Sequence, residues 1–367
     1  MGEDDTSPAV SQSNQPEGDQ PARRFQLNWF GRIVIGVVAL LVGAWLFMFF
    51  TAHAARNRPP LPNPNGYDDF LAAANHLGSF SSRILLTNDI PLFEEILATN
   101  GPALAAFRRG LARECRVPLE FSDQYLGRHI TELGRIKEIA RLVIAEAAVA
   151  RAHGRSQEAT TMALEVVRYG HQLARGGVLI DDLIGAATTV IGVNDLRANM
   201  DRMDAQTAKR AAGELLELDA GREPFAAILN NERDLIRGLA PGLRGLFLRG
   251  ANWLDTRRDT RTVRHRHDQR RALLRMFAIE LALHAHRLEK GSLPEALADL
   301  KPGFLKEIPE DPFTGGSFVY RRAHVSFVTH RSWSMGGTGF PSVRFARRCP
   351  GKDRLRLPSG SRTGPAA

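Results

Sequence analysis

Along the chain, the first feature to stand out is an unbroken run of apolar residues. From Ile33 the sequence reads IVIGVVALLVGAWLFMFFTA, with no charged position. As a helix rising about 1.5 Å per residue, that run is long enough to cross the roughly 30 Å hydrocarbon core of a bilayer. Trp29 and Phe30 flank its start and Trp45 lies near its end, where amphipathic rings favour the membrane interface. A transmembrane helix is therefore expected over 30–52. Residues 1–29 before it begin as a polar, acidic, proline-bearing stretch with too little apolar surface to order itself, and are expected to form a disordered tail. Residues 53–66 after it contain Arg58-Pro59-Pro60-Leu61-Pro62-Asn63-Pro64, a stiff extended linker because each proline fixes φ.

From Tyr67 to about Gly250 apolar positions recur every three or four residues, broken by Gly, Pro or Asn. This pattern predicts an α-helical domain over 67–250. Its helices are expected at Tyr67–Leu77, Pro91–Ala98, Pro102–Arg113, Ile130–Ala152, Gln157–Arg175, Leu179–Met200, Ala205–Leu218 and Pro224–Arg237. Strand-like alternation is nearly absent there.

A different pattern follows over 251–330. A basic stretch leads into an amphipathic helix with Leu273, Leu274, Phe277, Leu281, His284 and Leu288 on one face, ending at Lys290-Gly291. Pro294 then opens a short helix, Pro309 and Pro312 hold the backbone extended around Asp311, and Gly315-Gly316 turns into a strand at Phe318-Val319-Tyr320. The fold class expected is thus mainly α: an N-terminal transmembrane helix, an α-helical domain and a small α+β C-terminal module. Residues 331–367 lose all periodicity and become rich in Arg, Gly, Pro and Ser, as either a natural disordered tail or the product of a shifted reading frame.

Composition adds that 43% of residues are hydrophobic and 24% charged, the balance of a folded protein. The formal charge of +9 is local. Arg257, Arg258, Arg261, Arg264, Arg266, Arg270, Arg271 and Arg275 fall within nineteen residues against Asp259 and Asp268, and a second excess lies beyond residue 330. The eight arginines are the candidate contacts for an anionic surface, lipid headgroups or phosphates, with a solvated helix face as the plain alternative. Arg23, Arg24 and Arg32 precede the apolar run while Arg56 and Arg58 follow it, which favours an N-terminus inside the cell and a main domain outside the cytoplasm. That placement disfavours nucleic acid as a partner and leaves the bilayer, through residues 33–52, and other proteins. A cleavable signal ending at Ala52-His53-Ala54 is the alternative, but its apolar core is about 7–15 residues and this run is longer.

No cofactor, metal or catalytic motif is present: there is no Gly-x-Ser-x-Gly elbow, no phosphate loop and no His-Glu-x-x-His helix. His265 and His267, like His284 and His286, are two residues apart and point about 200° apart on a helix, so neither pair shares one ion. Cys115 and Cys349 have no partner at metal-ligand spacing and are expected as free thiols, with a single bridge as the alternative. His171, Glu165 and the pair Asp181-Asp182 read as solvated polar positions. The rival from another functional class, an envelope hydrolase, would need Glu165, Asp181 and Glu232 to converge.

Three resemblances bear on these expectations. EAAVARAHGRSQEATTMALEVVRYGHQLA, within about 139–173, resembles one tetratricopeptide-type helical hairpin, in which small alanines let antiparallel helices pack closely. Gly291-x-Leu293-Pro294, Leu297-x-x-Leu300 and Ile308-Pro309-x-Asp311-Pro312-Phe313-Thr314-Gly315, followed by a strand, resemble the C-terminal half of type II secretion pseudopilins over about 271–320. That likeness implies a secretion-associated role. The chain departs from that family at the start of the apolar run, which lacks the family's Phe and Glu, and after Tyr320, where no Asp- and Gly-rich calcium loop follows. The order of tail, span, helical domain and module resembles uncharacterised bacterial single-pass membrane proteins. The expected function is a membrane-anchored structural or interaction protein of the inner membrane.

Overall fold

The computed structural model describes residues 36–46, 59–78, 89–120, 122–239 and 243–321, with the backbone alone at 123, 237, 239 and 243–261. The chain divides into two units, Met1–Pro59 and Pro60–Ala367. In the first, residues 36–46 form helix α1. Its apolar side chains are exposed, Leu40 by 74% and Leu41 by 62%. The remainder of the expected span lies outside the described residues.

The second unit is built from α2 (Gly66–His76), α3 (Ile90–Thr99), α4 (Gly101–Leu111), α5 (Asp123–Ala152), α6 (Ser156–Ala174), α7 (Leu179–Asn199), α8 (Ala205–Ala220), α9 (Phe225–Leu239) and α10 (Leu243–Lys290). The mainly helical class expected from periodicity is thus observed. Local chemistry sets the boundaries. Asn65, Asp89 and Asp204 cap α2, α3 and α8 by accepting from the amides of Tyr67, Leu92 and Thr207. Gly154 (φ 75°) and Gly291 (φ 74°) take the left-handed conformation just after α5 and α10, where a residue with a side chain would be strained.

Helix α6 is the centre of the unit because it buries two faces. Ala163, Leu164 and Val167 join α7, α8 and α10 in one core, while Val166, Tyr169 and Leu173 join α2, α4 and α5 in another. The expected hairpin is observed: α5 and α6 run antiparallel about the turn at His153, with Tyr169 Oη donating to the Ile136 carbonyl at 2.9 Å. Phe70 and Phe107 pack edge-on to the Tyr169 ring, at 4.6 and 5.1 Å between centroids. On the other face α6 and α7 approach backbone to backbone. A Cβ on Gly185 would collide with the Gly170 carbonyl, and one on Gly192 would lie 2.7 Å from the Ala163 carbonyl.

Two expectations are corrected. The basic stretch is not a separate prelude to the amphipathic helix: α10 is one helix of 48 residues, so Gly250, the expected domain boundary, falls inside it. Leu274, Phe277 and Leu281 of α10 share a core with Leu215 of α8 and Leu196 of α7. The expected β content is also missing. Among the described residues, the module after Lys290 holds a single isolated bridge, Glu310 with Ser317, and no strand. Asp311 explains the local shape, since its carboxylate accepts from the Phe313 amide at 3.0 Å and its carbonyl from the Gly315 amide at 2.8 Å. Residues 322–330 of the expected module lie outside the described residues. Leu297, Leu300, Leu305 and Phe318 bury against the α8 and α10 core.

Candidate functional site

The Gly176-Gly177 pair ends α6 and aims the chain into α7, whose first turn carries Asp181 and Asp182. Both are buried, at 0% and 4% exposure, which corrects the expectation of solvated positions. The reason is tertiary. A helix start leaves several amides without intrahelical partners and carries the positive end of the helix dipole, so carboxylates are favoured there even when buried.

Asp181 faces α5. One oxygen accepts from the Val178 amide at 2.8 Å, and the other lies 2.7 Å from His129 Nε2. Tyr125 stacks on the His129 ring at 4.9 Å. Glu232 of α9 accepts the Leu179 amide at 3.0 Å. Burial holds the Glu232 carboxyl above its ordinary range, with the amide bond opposing and Asp181 adding to the rise. Burial and Asp181 together push the Tyr67 and Tyr125 hydroxyls upward.

Asp182 faces α10. Arg270 grips it twice, donating at 2.8 Å to its carboxylate and at 2.8 Å to its carbonyl. His267 Nδ1 lies 3.6 Å from the carboxylate, beyond hydrogen-bond reach. Burial alone would raise this carboxyl, but His267, Arg270 and Arg222 outweigh it and hold it below the ordinary value. One helix end further on, Asp219 of α8, its side chain 2% exposed, accepts from Arg275 at 2.7 Å and lies 3.4 Å from Arg271.

Between these groups α8, α9 and α10 enclose a cleft of about 450 Å³ lined by Asp219, Arg222, Phe225, Arg264, His267 and Arg271, among others. Behind its wall sits His171 of α6, whose two ring nitrogens are sealed from solvent and unpartnered. Its expected solvation is likewise corrected. Burial lowers the imidazole to about 3, with Arg222 and His267 adding to the effect and Asp219 and Asp182 opposing it. Because the folded value lies below the ordinary 6.5, the native state excludes a proton that the unfolded chain takes up. The resulting stability is present above about pH 6.5 and is lost as pH falls toward about 3. Urea unfolding at pH 7 and pH 5 is expected to show His171→Gln removing about 2 kcal/mol of the wild-type difference. If the difference persists undiminished in the variant, another group is responsible for it.

The eight candidate arginines divide. Arg270, Arg271 and Arg275 turn inward to Asp182 and Asp219, Arg264 and Arg266 are exposed, and the side chains of Arg257, Arg258 and Arg261 lie outside the described residues. The three hydrolase candidates also divide. Asp181 and Glu232 meet at the start of α7, whereas Glu165 lies 3.7 Å from Arg108, which bonds Glu146 at 2.6 Å. Burial raises the Glu165 carboxyl, with Arg108 opposing.

Among the described residues no group of three or more His, Cys, Asp or Glu could hold a metal ion. Cys115 is buried and free, its thiol pushed up to about 12 by burial, while Cys349 lies outside the described residues. Asp219, Arg222 and His129 were not singled out from sequence. The available signal was Arg271 and Arg275, one turn apart and interleaved with the apolar positions Ala272, Leu274 and Ala278, where a solvated face would not run. No protein-family model, curated protein or solved structure matches the chain.

Proposed function

We propose that the chain is a single-pass membrane protein of the bacterial cell envelope whose helical domain serves as a structural or protein-interaction module. The observation that carries this reading is α1. Val37, Val38, Leu40, Leu41, Val42 and Leu46 are all exposed, so the helix presents large apolar side chains around its circumference. Each large apolar side chain left in water forfeits about 1.5–3 kcal/mol, a loss that hydrocarbon surroundings remove. Among the described residues no helix is long and apolar enough to cross a membrane. The span argued for here adds the uncharged residues on both sides of α1, from Ile33 to Ala52.

The partners in this reading are the bilayer, through residues 33–52, and proteins that dock on the helical unit. The test is fractionation of bacterial cells expressing the full chain with alkaline phosphatase fused after residue 328. Retention in the membrane pellet through an alkaline carbonate wash, with active phosphatase, is the expected result. Recovery in the wash would overturn the anchor, and an inactive fusion held in the pellet would overturn the extracytoplasmic placement.

A further inference from the structure

We propose that the cleft walled by α8, α9 and α10 binds a phosphate group, with Arg222 as its main contact and His267, Arg264 and Arg271 around it. The inference is independent of the membrane reading. Arg222 follows the end of α8, lines the cleft and is half-buried, yet among the described residues its guanidinium makes no hydrogen bond or ion pair. The two inner carboxylates near it are already engaged, Asp182 by Arg270 and Asp219 by Arg271 and Arg275. Burial lowers the Arg222 guanidinium from its ordinary value, with Asp219 and Asp182 opposing, so those carboxylates do not fully offset its loss of water. A desolvated cation without a bonded partner is costly, and an oxyanion in the cleft would supply one.

A second observation comes from α10. His267 is 4% exposed and lines the cleft, and its Nδ1, 3.6 Å from the Asp182 carboxylate, makes no hydrogen bond. Its ring packs against Phe225 at 5.3 Å between centroids. Phe225 and Ala226, which open α9, also line the cleft and bring the positive end of that helix to it. Glu223 and Asp268 are acidic members of the wall, both partly exposed, and Arg264 is at hand to balance them. The lining is therefore balanced in formal charge, Asp219, Glu223 and Asp268 against Arg222, Arg264 and Arg271, and Arg222 is the half-buried cation of that set with no bonded carboxylate among the described residues.

Phosphate suits this arrangement better than carboxylate. Guanidiniums approach from the end of α8 and from two turns of α10, and a phosphate offers three oxygens in different directions where a carboxylate offers two in one plane. The volume and the apolar surfaces of Pro224, Phe225 and Leu229 leave room for an organic body beyond the phosphate.

The test is calorimetric titration of the full chain, purified in a neutral detergent, with inorganic phosphate and with monomeric dihexanoyl phosphatidic acid. Saturable binding of at least one probe is expected, weakened about tenfold or more in Arg222→Gln. Arg266→Gln alters an exposed side chain outside the cleft and is expected to leave binding unchanged. Binding of inorganic phosphate assigns the site to soluble phosphates, and binding of the lipid probe alone assigns it to a headgroup. If neither probe binds, if Arg222→Gln binds as the wild type does, or if Arg266→Gln is weakened equally, the proposal is overturned. Should circular dichroism show Arg222→Gln to be misfolded, Arg264→Gln decides in its place, with weakened binding expected and unchanged binding overturning the proposal.

Discussion

Asp182→Ala is expected to lower the unfolding free energy by about 3–5 kcal/mol, because it strands Arg270 in a buried position without its counter-charge. The side chains of the pair are only 6% and 15% exposed, so little solvent is at hand to replace the lost partner. Attraction within the pair is not the origin of the effect. Bringing two charges out of water costs nearly as much as their contact returns, and the penalty appears when one is removed alone. The double variant Asp182→Ala/Arg270→Met should therefore recover more than half of the loss. Urea unfolding of the wild type, both single variants and the double variant closes the cycle. Losses that simply add would show that the two side chains act separately and that the stranded charge is not the cause.

Gly185→Ala should cost about 2 kcal/mol, although glycine to alanine on an open helix face gains about 0.5–1 kcal/mol. The added methyl would enter the space of the Gly170 carbonyl, which is backbone and can yield only if α6 and α7 separate. Separating them loosens the Ala163, Val167 and Val193 contacts of the main core. Gly134→Ala is the matched control, since it lies on an exposed face of α5 with nothing near the position of a Cβ. Thermal or urea unfolding should move in opposite directions for the two variants. A stabilised Gly185→Ala protein would mean that α6 and α7 are not in backbone contact.

How far the sequence could be read depended on the range of the interaction involved. The helices of the second unit were legible because their causes are local. Asn65, Asp89 and Asp204 sit at helix starts, Gly154 and Gly291 at helix ends, and apolar residues recur at helical spacing between them. The helical spacing predicts the start of α5 too late, at Ile130, since Asp123–His129 lacks a strong apolar stripe and joins the helix through tertiary contacts of Tyr125 with Val178 and Leu235 and of His129 with Asp181. The strand at Phe318–Tyr320 was misread for the opposite reason. Its residues favour a strand locally, but among the described residues the pairing is a single bridge at Ser317, and Phe318 buries in the α8 and α10 core.

The site was the least legible part. Asp181 and Asp182 look like any acidic pair in a first turn, and only the arrival of His129 from one side and Arg270 from the other makes them buried and paired. Likewise Arg257–Arg275 reads as one basic face, and helix rotation decides which arginines meet carboxylates. By itself the sequence determined what depends on neighbours a few residues apart: the helical class, the hairpin, the caps, and an apolar run suited to hydrocarbon. The tertiary structure alone decided which charges lose their water and which keep a partner, because that balance is set by groups from helices up to 88 residues apart in the chain.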